Sequence, residues 1–125
     1  MSSSDEEVLR FIAASFPSVW ALELLLLLKR DRRPWKSGEL LDSLRASDLV
    51  ISKAVDALMA AGLVSAEQGG VTYLPVNPEV EKLIDRVEEL YRGRPNKVRR
   101  AIVSASTSSA FAFADAFKLR RDDDG

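Results

Sequence analysis

Between Ser37 and Pro75 the chain changes hydrophobic period twice and is punctuated at each change, which leaves few ways to fold it. Leu40, Leu41 and Leu44 share one helical face, so Ser37–Leu44 reads as a short helix with Ser37 as its cap. Arg45-Ala46-Ser47 is too short to be anything but a turn, and Ser47 can cap a second, longer helix over Asp48–Ala61. Its inward stripe is expected to be Ile51, Val55, Leu58 and Met59, leaving Val50, Lys53, Asp56, Ala57 and Ala60 outside. Gly62 ends it, because glycine takes the left-handed conformation beyond a helix at little steric cost. Two strand-like runs follow, Leu63–Ala66 and Val71–Leu74, joined across Glu67-Gln68-Gly69-Gly70.

Helix, turn, helix and hairpin in that order is the ground plan of a winged helix-turn-helix. The expected fold class is therefore mainly α: a winged helix-turn-helix with a two-stranded β-hairpin wing and additional N- and C-terminal helices. At 125 residues the chain fits a single domain, with a core over 18–75, C-terminal helices over 78–119 and an acidic tail over 120–125. Upstream, Ser4 with Asp5, Glu6 and Glu7 opens a helix to Phe16, with Leu9, Ile12 and Phe16 on one face. Pro17 breaks it. The next helix, about Ser18–Arg30, is apolar nearly all round and belongs at the centre. Trp20 and Tyr91 are expected in the core, and Trp35 is expected to anchor its loop there.

Downstream, Asn77 caps and Pro78 opens a helix whose apolar stripe runs through Val80, Leu83, Ile84, Val87, Leu90 and Tyr91. Gly93 and Pro95 interrupt it before a helix over Asn96–Ala105, with Val98, Ala101, Ile102 and Ala105 on one side. A last helix is expected over Ser109–Leu119. Its Phe111, Phe113 and Phe117 cannot all face one direction, which points to a homodimer through the terminal helices.

The chain has no histidine and no cysteine, which excludes disulfides, thiolate or imidazole metal sites and histidine-dependent catalysis. No glycine-rich phosphate loop or nucleophile motif appears, so no enzyme, cofactor or metal is expected. The most apolar run, Val19–Leu28, contains Glu23 and is half the length a bilayer span needs, about 20 residues. A cytoplasmic chain with no membrane partner is the expectation, and the lack of cysteine fits it.

Charge is unevenly spread. From Ser37 to Leu74, Arg45 and Lys53 face Glu39, Asp42, Asp48, Asp56 and Glu67, a net charge of −3. Lys29, Arg30, Arg32, Arg33 and Lys36, with Asp31, give +4 just before that segment. Arg92, Arg94, Lys97, Arg99 and Arg100 give +5 well after it. Such clusters are where a polyanion would be drawn.

The run Ser52-Lys53-Ala54-Val55-Asp56-Ala57-Leu58-Met59-Ala60-Ala61-Gly62-Leu63-Val64 resembles the recognition-helix end and wing start of MarR-like bacterial winged-helix regulators. These carry a Ser-basic-x-Val-x-x-Leu-x-x-x-Gly-Leu-Val type sequence. The likeness covers about residues 19–75, and it implies a dimeric, DNA-binding transcription regulator that reads the major groove with helix 48–61. Duplex DNA is then the expected partner, touched by Ser47, Ser52, Lys53 and Arg45, with Lys29, Arg30, Arg32, Arg33 and Lys36 gripping the flanks. The wing tip departs from the family, since Glu67-Gln68-Gly69-Gly70 has no cation for a minor groove. The alternative expectation is a winged-helix protein-protein interaction module with a non-basic recognition face. Its partner would be an acidic protein or a component of the transcription machinery.

Overall fold

A computed structural model describes residues 5–67 and 69–105. It is mainly helical: α1 Asp5–Ser15, α2 Val19–Arg30, α3 Ser37–Leu44, α4 Asp48–Ala60, strands β1 Val64–Glu67 and β2 Gly70–Tyr73, α5 Pro78–Gly93, and α6 over 95–105. The order and types match the sequence reading and are compatible with a winged helix. The last expected helix, Ser109–Leu119, its three phenylalanines and the tail lie outside the described residues.

The centre is α2, with Ala21, Leu22, Leu24, Leu25, Leu26 and Leu28 all buried. Ser18 opens it, its hydroxyl accepting from the Ala21 N–H at 3.3 Å. Because Pro17 interrupts the chain, α1 and α2 meet at a bend of 105°. That bend lays α1 against α5 while α2 packs on α3, α4 and β2. On α1 the buried residues are Val8 and Ile12, with Phe16 just beyond; Leu9, expected inward, is half-buried. No single helix among the described residues is long and apolar enough to cross a membrane.

Three expectations about side-chain placement need correction. Ser37 is not the cap of α3: that position is Lys36, whose backbone N–H donates to Glu39 Oε1 at 3.0 Å. Met59 does not face inward on α4 but is 43% exposed, and Ala54 takes its place beside Ile51 and Leu58. The 100° step per residue explains this, because 51, 54 and 58 follow the i, i+3, i+7 line from which 59 has drifted. Trp20 is not a core residue either. It is 41% exposed at the first turn of α2, one step round from Ala21, which is buried.

The hairpin pairs Val64 with Tyr73 and Glu67 with Gly70, antiparallel, so both strands reach one residue nearer the tip than expected. Val64, Val71 and Tyr73 are buried on its inner side. A third segment completes the sheet. Trp35 exchanges both backbone hydrogen bonds with Val71, each 2.8 Å, as an isolated antiparallel bridge. Gly70 makes this possible: at φ +125° it brings β2 so close that a Cβ would lie 2.4 Å from the Trp35 carbonyl oxygen. Gly62, at φ +75°, ends α4 as the sequence suggests, and its carbonyl accepts from Val76 N–H at 2.8 Å. The stripe on α5 is confirmed, with Ile84 and Val87 buried and its other members half-buried.

Candidate functional site

The two helices α3 and α4 are joined by a turn in which Arg45 adopts the left-handed conformation, φ 53°. Its N–H donates to Leu41 O at 2.8 Å, which closes α3. The Ser47 hydroxyl then accepts from the Val50 N–H at 3.3 Å and starts α4. Ile51, Ala54 and Leu58 fix α4 to the core, so Leu49, Ser52, Lys53 and Asp56 point to solvent. Leu49 is 62% exposed, an apolar side chain at the lip of this face.

Between the N-terminal half of α4, the Trp35–Ser37 segment and the hairpin lies a groove of about 500 Å³. Its floor includes Ile51, Val55 and Val71, and its rim carries Asp48, Asp56, Glu67 and Lys36. Three carboxylates and one ammonium make that rim acidic. Glu39 stands nearby with its carboxyl held below the usual range, first by the Lys36 backbone N–H and then by Arg33.

The nine residues singled out as DNA contacts divide into two sets. Lys36 and Ser52 line the groove, Lys53 follows Ser52 on α4, Arg45 sits in the turn, and Ser47 is exposed with its hydroxyl committed to the cap. No salt bridge engages Lys36, Arg45 or Lys53 among the described residues. These five are exposed, on α4, on the turn before it and on the segment that leads into α3.

The Lys29–Arg33 cations are largely spent on the fold itself. Lys29 Nζ lies 2.8 Å from Glu88 Oε1 and 3.1 Å from Asp85 Oδ1, its side chain only 14% exposed. Those pairs, the Glu88 hydrogen bond above all, raise its pKa against the opposing effect of burial. Lys29 is therefore not placed to grip phosphate. Arg32 lies over the Tyr73 ring, 4.9 Å from its centroid, and reaches toward Glu81 at 4.0 Å. Arg33 stacks on Trp35 at 4.0 Å and pairs with Asp31 and Glu39, each 3.0 Å. Arg30 donates from Nε to Leu26 O and keeps an exposed side chain. The cluster reads as +4 along the chain, but carboxylates of α5 and α3, together with Asp31, neutralise much of it in three dimensions.

Trp35, expected to anchor its loop to the core, does more than that in the structure. It is buried, and its indole N–H donates to Asp31 O at 2.9 Å. Its backbone also extends the hairpin sheet, which a single residue between Pro34 and Lys36 cannot announce by periodicity. Tyr91, expected in the core, is half-buried; its hydroxyl donates to Glu23 and receives from Arg99 at 3.3 Å. A second groove of about 600 Å³ lies at the other end of α4, lined by Phe16, Ala57, Ala60, Ala61 and Ala105.

Comparison of the chain with protein-family models, with curated proteins and with solved structures finds no match.

Proposed function

We propose that this chain is a MarR-like winged-helix transcription regulator, cytoplasmic and homodimeric through its terminal helices, that binds duplex DNA with α4. The observation that carries the proposal is the solvent-facing N-terminal half of α4. Ser52 and Lys53 stand there, Ser52 in one groove with Lys36, while Arg45 lies in the turn that leads into α4, and no salt bridge engages any of the three cations among the described residues. A helix N-terminal half with hydroxyl and ammonium donors suits a major groove, where serine reaches base edges or phosphate and lysine reaches guanine or phosphate. The adjoining hairpin would lie along the flanking backbone.

Selection of bound fragments from a random duplex pool tests this. An enriched sequence is expected, and Lys53→Ala and Ser52→Ala should change which sequence is enriched while leaving the protein folded. A pool that emerges without enrichment at low salt would refute the reading.

A second reading has its own support. The acidic rim formed by Asp48, Asp56 and Glu67, above an apolar floor, suits a protein partner better than a phosphate backbone. On that reading α4 and the hairpin hold a component of the transcription machinery. Affinity capture should then recover a stoichiometric partner that is lost on Asp56→Arg, a change on the rim of that groove. Recovery of this protein alone, while it retards DNA, would dismiss it.

A further inference from the structure

The segment 37–74, on which the DNA-binding reading relies, carries a net charge of −3, and the cations before it are mostly paired. Phosphate attraction, which dominates protein–DNA affinity, must therefore come from elsewhere on the molecule. The corner between α5 and α6 has the required surplus. From Tyr91 to Arg100 there are five cations and no carboxylate.

The corner is built by one residue. Arg94 closes α5 by donating its N–H to Leu90 O at 2.7 Å, and its carbonyl accepts from the Val98 N–H at 3.3 Å to open α6. Pro95 follows at the first position of α6, where its missing N–H costs nothing. Val98 and Ile102 are buried and hold α6 down, which leaves Arg92, Arg94, Arg99 and Arg100 exposed and Lys97 half-buried around the bend.

Arg92 shares a hollow with Glu23 and Glu88, and Arg94 shares one with Asp5 and Glu89, so carboxylates offset part of this charge. Arg92 reaches Glu88 only at 3.8 Å from a side chain 76% exposed. Arg99 lies over the Tyr91 ring, 5.5 Å from its centroid, and donates to the Tyr91 hydroxyl at 3.3 Å while remaining exposed. No salt bridge engages Arg94, Lys97 or Arg100 among the described residues. The α6 N-terminus adds its own positive dipole to the same spot.

We infer that the α5–α6 corner, and not the Lys29–Lys36 cluster, is the main phosphate-gripping surface of this protein, and that its occupant is the backbone of duplex DNA. The inference rests on the DNA-binding reading above and adds to it a site remote in sequence from the helix-turn-helix. An acidic protein is the weaker candidate, because a protein interface centres on buried apolar anchors. Among the described residues, Val103 is the exposed large apolar side chain that α6 offers.

The reach is adequate. Ala105 at one end of α6 and Ala60 at the end of α4 line the same groove. Following α6 back to the corner takes about 15 Å, and following α4 back to Lys53 takes about 10 Å, at 1.5 Å per residue. With the groove between them, the corner and Lys53 are at most roughly 35 Å apart, within the length of a two-turn duplex.

The test is an anisotropy titration of the full chain with a labelled duplex of about 24 base pairs, roughly two turns, at several salt concentrations. Arg94→Gln with Arg100→Gln changes two exposed side chains and keeps both backbone hydrogen bonds at the corner, and circular dichroism verifies that the variant is folded. The slope of log affinity against log salt should flatten by about 2 in this variant and by about 1 in Lys53→Ala. The first change is an about tenfold smaller loss of affinity between 50 and 200 mM salt. A slope unchanged by the corner variant but flattened by Lys53→Ala would overturn the inference and leave the DNA-binding reading standing. Absence of binding by the unaltered chain at low salt would overturn both. Poly-glutamate that displaces the duplex at equal charge concentration would assign the corner to an acidic protein instead, and so overturn it too.

Discussion

Replacing Gly70 by alanine should unfasten the hairpin from the rest of the domain, and the cost can be worked from the geometry. A Cβ at this position would lie 2.4 Å from the Trp35 carbonyl oxygen and 2.7 Å from its carbon, both backbone atoms that cannot rotate away. The strands must therefore separate, which breaks the two 2.8 Å hydrogen bonds between Trp35 and Val71. Each is worth about 0.5–1.5 kcal/mol net. Holding alanine at φ +125° adds about 1–3 kcal/mol of backbone strain. Because strand separation relieves part of that strain, the sum is about 3 kcal/mol. For a domain of this size the melting temperature should then fall by roughly 10 °C. Thermal unfolding followed by far-ultraviolet circular dichroism measures it. A Trp20→Phe background leaves Trp35 as the only indole, so its emission should shift red as the bridge opens. Gly69→Ala is the matched control, because its Cβ would meet only Pro34 Cβ at 3.8 Å, an ordinary contact. A Gly70→Ala variant that melts within about 2 °C of the unaltered protein, well under 1 kcal/mol, would refute the claim that this glycine is required for the close approach.

Two further outcomes follow from the polar groups around β2 and α5. Lys29→Met strands Glu88, whose side chain is only 18% exposed, beside Asp85, and should cost about 2–3 kcal/mol in urea denaturation at neutral pH. Lys29 has a folded pKa raised above 10.5, so its contribution is complete below that value and disappears as pH rises through the higher folded one. The stability gap between the unaltered chain and Lys29→Met should accordingly narrow above about pH 10.5. A gap that stayed constant to higher pH would contradict the pairing. Tyr73→Phe removes a buried hydroxyl that has no hydrogen-bond partner among the described residues and whose burial raises its pKa. Its stability should equal or exceed that of the unaltered protein by up to about 1 kcal/mol, and a loss of more than that would show the hydroxyl to be bonded.

The helix order, the capping serine at 47, the glycine stop at 62 and the strand reversal near 69–70 were all legible along the chain. They depend on neighbours within four residues: a hydroxyl one turn from an N–H, a glycine that tolerates positive φ, an apolar stripe at helical spacing. The same local logic failed where two positions competed for one face. Met59 and Trp20 are apolar and next to core residues, and only the rotation of α4 and α2 against their neighbours turned them outward.

Charge shows the division most clearly. Composition located the cations of 29–36 and 92–100, and it located the deficit between them, because net charge is a sum over sequence. Which of those cations remain for a partner is decided by distance. Folding α5 beside α2 brings Asp85 and Glu88 to Lys29 from more than fifty residues away, whereas nothing comparable closes on Arg94 or Arg100 among the described residues. Local stereochemistry thus determined the elements and their order, while long-range packing decided which side chains they bury and which charges they leave for another molecule. Coulomb energy and burial act through space, and separation along the chain sets neither.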